Sequence, residues 1–144
     1  MYNPSIYEPI LDYQQRDVII RFMGYSNYND YLQSDLWRHI RRRVFGYKGN
    51  LCWLCRRKAD HVHHHRYTIQ NLRGRRFRDL YPICVVCHEI VEFDEGTKRP
   101  LIESSELFTW ILNNKKLLRE LREGRSPNVD ISNNITRDYM NPYK

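Results

Sequence analysis

Residues 79–92 read DLYPICVVCHEIVE, and this stretch decides the fold because it changes from a strand pattern to a helix pattern. DLYPIC predicts a short strand, and Pro82 confines it to a sheet edge or a strand end because proline lacks a backbone donor. After Cys84, VVCHEIVEF predicts a helix on which His88 and Glu92 lie one turn apart on the same face. The sequence therefore predicts a strand that runs through a cysteine pair into a helix carrying two aligned polar side chains.

The cysteines of the chain form two C-x-x-C pairs, Cys52 with Cys55 and Cys84 with Cys87. Two such pairs predict a tetrathiolate zinc site, since each turn supplies two sulfurs and two turns complete a tetrahedron. The spacing between the pairs is longer than in a short zinc ribbon, so further elements are inserted there. Disulfides or a dithiol redox centre are the alternatives, and a reducing compartment disfavours disulfides.

A second polar cluster occurs at residues 61–67, which read HVHHHRY and place four histidines in five positions. The interleaved β-branched and aromatic residues predict a strand. Neutral imidazoles bind metals and take up protons near neutral pH, whereas an accidental cluster of histidines is the simpler alternative. His61 and His65 share a strand face with His63, and we interpret them as bystanders rather than ligands.

Positive charge is concentrated in the middle of the chain. The formal net charge is +7, and residues 38–78 contain 13 lysines and arginines against the single acidic residue Asp60. Such a block predicts a polyanionic partner, with nucleic acid as the first candidate, although a solvated surface is the alternative. The chain contains no apolar run of membrane-spanning length, and MYNPSIYEPI lacks the features of a secretory signal. We therefore expect a cytoplasmic protein.

Two helices are predicted outside this central region. Apolar residues recur every four positions from Tyr28 to Val44, and the opposite face of this helix is rich in arginine. A second helical stripe covers residues 104–123, with a serine to cap its start and Gly124 after its end. Together with the short strands, these helices predict a small α+β fold.

The run VHHHRY, followed by RDLYPICVVCHEIVE and preceded by CWLC, resembles the HNH or ββα-metal endonucleases. The residues match the branch with the pattern HH-x-x-Y, D-L and C-x-x-C-H. YNDYLQSDLWRHIRRRVF also resembles the helix that precedes the first cysteine pair in that branch. The resemblance extends from Tyr28 to Phe93. It implies a small ββα core, held by a structural four-cysteine zinc site, that hydrolyses DNA phosphodiesters with a second divalent ion.

The resemblance also implies roles for individual residues. His63 would bind the catalytic ion, His64 would act as general base, and Asp79 would position that base or its strand. His88 matches a metal-binding histidine of the family, whereas Glu92 stands where the family carries a final histidine. Two imidazoles and one carboxylate suit Mg²⁺, Mn²⁺ or a softer divalent ion, and the glutamate favours harder ions such as Mg²⁺. Glu92 is alternatively an ordinary surface carboxylate, and Asp79 a turn cap.

With the resemblance, the chain divides into four segments: an arm over residues 1–27, the core with its preceding basic helix over 28–98, a helix over 99–124 and a polar tail over 125–144. Eight arginines are predicted to contact DNA phosphates: Arg38, Arg41, Arg42, Arg66, Arg73, Arg75, Arg76 and Arg78. Two other functions remain open, a catalytically inactive ββα module that only binds nucleic acid and a zinc-ribbon adaptor for proteins. Double-strand cleavage would require a homodimer or two successive nicks, and the biological role, including a role in a phage or a mobile element, is open.

Overall fold

The computed structural model describes residues 8–124, which form two compact units. The first unit contains the described residues up to Gly49 together with Val62–Tyr81. The second contains Asn50–His61 and the described residues from Pro82 onward. The predicted polar tail lies outside the described residues, as does the beginning of the predicted N-terminal arm.

The first unit is mainly helical. The arm predicted for residues 1–27 contains a helix, and the Asp12 side chain caps it by accepting a hydrogen bond from the Gln15 backbone at 2.7 Å. The Gln15 side chain returns a bond to the Asp12 backbone, which completes a capping box. The helices of this unit are α1 (Tyr13–Phe22), α2 (Tyr28–Leu32), α3 (Asp35–Lys48) and α4 (Ile69–Leu72).

The single helix predicted from Tyr28 to Phe45 is wrong in one respect, because the chain breaks it into α2 and α3. Ser34 is the cause: its hydroxyl accepts a hydrogen bond from the Trp37 backbone at 3.1 Å and so begins a new helix. The C-terminal part of the apolar stripe is nevertheless buried, with Ile40 and Val44 fully enclosed, whereas Tyr28, Leu32 and Leu36 are half-buried. The four-residue spacing therefore predicts the buried face of α3, while Tyr31 and Trp37 fill the core around the interruption.

Gly74 lies at the start of the loop that follows α4, where the backbone packs closely against the core of the first unit. Its φ is +74°, a left-handed conformation that favours glycine, and an added Cβ would lie 2.8 Å from Ile40 Cγ1. Next to this contact, the hydroxyl of buried Tyr31 donates a hydrogen bond of 2.6 Å to the Leu72 carbonyl. The arginine-rich loop thus begins from a fixed point on α3.

The strand predicted from DLYPIC is confirmed as β2 (Leu80–Ile83), which pairs with β1 (His61–His64) in a two-stranded sheet. At one end the Asp60 amide donates to the Ile83 carbonyl at 3.3 Å, and at the other the His65 amide donates to the Asp79 carbonyl at 2.8 Å. This pairing runs antiparallel. Strand β1 is shorter than the predicted strand, since it ends at His64 and not at Tyr67.

The second unit carries the predicted helix after Cys84, which is confirmed as α5 (Val85–Glu92). A hairpin of β3 (Phe93–Asp94) and β4 (Thr97–Lys98) follows, and α6 (Leu101–Leu112) and α7 (Lys115–Arg122) complete the unit. The single helix predicted over residues 104–123 is therefore wrong, because Asn114 begins a new helix by accepting from the Leu117 backbone at 3.0 Å. Four residues of the predicted stripe, Leu107, Ile111, Leu117 and Leu121, are buried and Phe108 joins them, whereas Trp110 and Leu118 are half-buried.

The described part of the chain thus combines helices with two small antiparallel sheets, as the predicted α+β class requires. None of its helices has the length and the apolar composition needed to cross a bilayer.

Candidate functional site

The four cysteines lie together inside the second unit. Their sulfur atoms are all within 4.8 Å of one another, and all four side chains are buried. The Trp53 amide donates to the Pro82 carbonyl at 3.0 Å, which ties the first cysteine turn to the second. Cys84 also caps α5, since its sulfur accepts from the Cys87 backbone at 3.4 Å. This group could hold a metal ion, as the spacing predicts.

The protonation of the cysteines fits such an ion. A hydrogen bond from the Cys87 thiol lowers the pKa of Cys52, and the same bond, with burial, raises the pKa of Cys87. Burial is also the main cause of the raised pKa of Cys84. The Cys52 thiolate is therefore stabilised while ionisation of Cys84 and Cys87 is disfavoured, and a bound cation would favour the ionised form of these thiols. All four are free thiols, and the Cys55 and Cys84 sulfurs lie 3.5 Å apart, well beyond the roughly 2.05 Å of a disulfide.

Helix α5 presents His88 and Glu92 on one face, one turn beyond the second cysteine pair. His88 Nε2 lies 3.9 Å from Glu92 Oε1. The buried Ser104 hydroxyl donates a hydrogen bond of 3.2 Å to the same carboxylate oxygen, so α6 fixes the orientation of the glutamate. The His61 ring stacks on His88 with 5.5 Å between centroids, so this predicted bystander contacts a candidate ligand. An imidazole and a carboxylate are therefore held side by side.

His63 lies on β1 in the first unit, and only 1% of its surface is exposed. His88 and Glu92 belong to the second unit. The sequence pattern is the basis for combining these three residues in one ligand set, and the set stays a prediction.

His64 occupies an aromatic box within the first unit. Its ring lies nearly parallel to Trp37 on one side and Tyr67 on the other, at centroid distances of 5.0 and 4.6 Å. The Tyr28 hydroxyl lies 3.4 Å from His64 Nδ1 and 3.2 Å from the Tyr67 hydroxyl. His64 is 5% exposed. The box fixes the imidazole ring, and Tyr67 forms one of its walls.

Arg16 supports this box from α1, a residue that the sequence analysis missed. Its guanidinium carbon lies 3.8 Å from the Tyr28 ring centroid and 5.0 Å from that of Tyr67, while Asp17 forms an ion pair with it at 3.0 Å. Stacked guanidinium groups of this kind attract aromatic faces electrostatically. The signal available in the sequence was weak, because Arg16 precedes the stretch that carries the family resemblance by several residues.

Asp79 takes part in two arrangements. Its carbonyl accepts the hydrogen bond from the His65 amide, which joins it to the end of the histidine strand. Its carboxyl group lines a cleft together with arginines, and burial raises the pKa of that carboxyl group although Arg66, Arg78 and Lys48 oppose the shift.

Burial also lowers the pKa of His65 to about 4, with smaller effects of Arg66 and His63.

The eight arginines predicted to contact DNA all belong to the first unit. On α3, Arg38 pairs with Asp35, and Arg41 lies 5.6 Å from the Phe45 ring centroid. In the loop between α4 and β2, Arg76 is half-buried, and the other predicted arginines there, Arg73, Arg75 and Arg78, are exposed, as is Arg66 just before α4. Exposed guanidinium groups are available to phosphates, whereas the pairing of Arg38 reduces its effective charge.

Comparisons with family models, with curated proteins and with solved structures find no match to this chain.

Proposed function

We propose that the chain is a metal-dependent endonuclease of the HNH type that hydrolyses DNA phosphodiester bonds. One observation carries the proposal: β1, β2 and α5 occur in the order of a ββα unit, with the short helix α4 between the two strands. His63 and His64 lie on β1, and His88 and Glu92 lie on α5. Cys84 caps the start of α5 and Cys87 lies within it, so a metal ion bound to the cysteine cluster would stabilise the start of this helix.

In this proposal the two metal sites have different tasks. The four buried thiolates would hold zinc as a structural ion, because a complete tetrathiolate leaves no position for substrate. His63, His88 and Glu92 would hold Mg²⁺ or Mn²⁺, which when bound would neutralise charge on the scissile phosphate and the leaving oxygen. The hydrogen bond from Ser104 would keep the Glu92 carboxylate turned toward that site.

The remaining residues would serve proton transfer and substrate positioning. His64 would take the proton from the attacking water, with its ring orientation fixed by Trp37 and Tyr67. The exposed arginines would hold the DNA backbone by charge-assisted hydrogen bonds to phosphate oxygens. These contacts make affinity dependent on salt, because bound phosphates release counterions.

A second candidate function is a ββα module that binds nucleic acid without cleaving it. The enclosure of His64 favours it, because both ring faces are covered and Nε2 is buried. A general base has to reach the attacking water within hydrogen-bond distance. A histidine enclosed in this way serves equally well to organise the aromatic core around it.

Nicking of supercoiled plasmid in Mg²⁺ or Mn²⁺ distinguishes the two candidates. The endonuclease proposal expects wild-type protein to nick, and expects His64→Ala and His88→Ala to lower the rate by at least about a hundredfold. His39→Ala is the matched control, since His39 is an exposed histidine of α3. Salt-dependent DNA binding without nicking in any divalent ion would establish the binding module. A protein adaptor would show neither.

A further inference from the structure

A cleft of about 210 Å³ opens in the first unit beside the arginine-rich loop. Three arginines, Arg66, Arg76 and Arg78, line it together with the carboxyl groups of Glu8 and Asp79. No residue of the predicted metal site belongs to this lining. The cleft is therefore a candidate binding site that shares no residue with the predicted metal-ligand set, and it includes Asp79 and three of the arginines predicted to contact DNA.

Hydrogen bonds hold the floor of the cleft in place. Thr68 and Asn71 form a capping box at the start of α4, and both are buried. The Asn71 amide group also donates to the Arg66 carbonyl at 2.8 Å, so it fixes the backbone of a lining arginine. Because these polar groups bond to one another, the floor does not need a ligand to keep its shape.

The walls of the cleft are also fixed at the backbone. The Glu8 carboxylate accepts a hydrogen bond of 3.1 Å from the Gln70 amide, which anchors the N-terminal side of the cleft to α4. On the other side, Lys48 donates to the Arg78 carbonyl at 3.0 Å and to the Leu80 carbonyl at 2.7 Å. The backbone between these two carbonyls carries Asp79. The Glu8 carboxylate and the backbone that carries Asp79 are thus held in place without a ligand.

The side chains of the three arginines remain available. None of their guanidinium groups forms a side-chain hydrogen bond or an ion pair within residues 8–124. Three cations against two carboxylates leave a net positive site, which favours an anion. Guanidinium groups bind phosphate through paired hydrogen bonds, so the phosphate group is the natural anion here.

A phosphate ion alone does not account for the carboxyl groups. Glu8 and Asp79 would repel it, whereas each can accept hydrogen bonds from amino and imino groups. The exposed Ile10 at the edge adds an apolar surface on which a flat ring can lie. A ligand with a phosphate, a flat apolar face and several N–H donors meets all of these conditions, and a nucleotide is such a ligand.

We propose that this cleft binds one unpaired nucleotide of a DNA strand, with the phosphate on Arg66, Arg76 and Arg78 and the base donors on Glu8 and Asp79. The base has to be unpaired because pairing would occupy the donors of its Watson–Crick edge. The inference rests on the proposed function only for the identity of the substrate as DNA. It adds to that function a preference for DNA with an unpaired or extruded base.

Binding of the four 2′-deoxynucleoside 5′-monophosphates and of inorganic phosphate to the full chain, without added divalent ions, tests the proposal by calorimetry or by NMR shifts. We expect at least one nucleotide to bind about tenfold more tightly than phosphate. Arg76→Gln should weaken that binding by about tenfold or more, because it removes a charged hydrogen-bond donor. Arg21→Gln is the matched control, since Arg21 is an exposed arginine of the same unit outside the cleft.

Glu8→Gln tests the part played by the base. It should change the order of affinity among the four nucleotides, because a carboxylate acceptor becomes an amide that also donates. Nucleotides that bind no more tightly than phosphate would overturn the proposal, as would equal losses in Arg76→Gln and Arg21→Gln. Selective nucleotide binding without plasmid nicking would leave the cleft intact and refute the endonuclease. Nicking without nucleotide binding would do the reverse.

Discussion

The imidazole of His64 lies nearly parallel to the indole of Trp37, with 5.0 Å between the ring centroids and 18° between the ring planes. Trp37 is buried, and it lies in the first turn of α3, the turn that Ser34 caps. The orientation of the proposed general base is therefore tied to the start of the basic helix.

Two substitutions of Trp37 distinguish the stability that comes from filling the core from the stability that comes from stacking on His64. We expect Trp37→Ala to lower the free energy of unfolding by about 3–5 kcal/mol, as for other large buried aromatic residues, whereas Trp37→Phe keeps a flat ring and loses far less. Urea unfolding followed by circular dichroism measures both. If the alanine variant costs no more than the phenylalanine variant, the aromatic box does not stabilise the unit.

Zinc removal should unfold the second unit. A chelator would remove the cation proposed for the four buried sulfurs, and the thiolates left behind would have to bind protons. We expect a strong chelator to release one zinc ion per chain, detected with a zinc-binding dye, together with a loss of helical signal that added Zn²⁺ restores. Cys52→Ser should show the loss without chelator. A chelated protein that keeps its full helical signal would contradict a structural role for the ion.

The glutamate at position 92 gives a direct test of the metal preference. Glu92→His replaces a hard oxygen ligand by an imidazole, and we expect it to move the most effective ion from Mg²⁺ or Mn²⁺ toward softer ions such as Ni²⁺ or Zn²⁺. Ser104→Ala removes the hydrogen bond to Glu92 and should raise the Mg²⁺ concentration for half-maximal nicking by about tenfold. Both are measured as nicking rates over a metal titration. An unchanged metal preference in Glu92→His would remove Glu92 from the ligand set.

Several features of the fold could be predicted because local rules decide them. The strand at 80–83 and the helix after Cys84 follow from patterns within a few residues. The cysteine cluster follows from two C-x-x-C pairs, because each pair already supplies half of a four-cysteine site. The breaks at Ser34 and Asn114 could have been predicted in principle, since both are helix-capping residue types, but the apolar periodicity continues across them. Periodicity reports which residues are buried, and it is insensitive to a short interruption of the backbone.

The parts of the candidate site that the sequence did not predict depend on contacts between distant segments. Arg16 meets the His64 box only because α1 packs beside it, and Glu8 reaches the cleft through a bond to Gln70. The separations between these partners follow no short motif. A pattern within one segment can indicate a ligand or a base, but it carries no information on the side chains that another segment brings to it.

Asp79 should reduce the stability of the folded protein at neutral pH. Burial raises the pKa of its carboxyl group, so the folded state binds a proton more readily than the unfolded state does. Stability therefore falls as the pH rises through this pKa, and the penalty is absent below the unfolded value. We expect Asp79→Asn to raise Tm at pH 7, with the gain vanishing at a pH below the unfolded pKa, while it lowers the nicking rate. A gain in Tm that is the same at both pH values would result from packing and not from the charge of Asp79.

Two glycines of the first unit should respond in opposite directions to the same substitution. Gly74 has a φ of +74°, and a Cβ there would lie 2.8 Å from Ile40 Cγ1, so Gly74→Ala should cost about 1–3 kcal/mol of stability through strain and displacement of Ile40. Gly46 lies inside α3 with nothing within 4 Å of an added Cβ, so Gly46→Ala should stabilise by about 0.5–1 kcal/mol. Urea unfolding of both variants measures the difference. Because Gly74 begins the loop that carries Arg76 and Arg78, Gly74→Ala should also weaken nucleotide binding in the cleft, and Gly46→Ala should leave it unchanged.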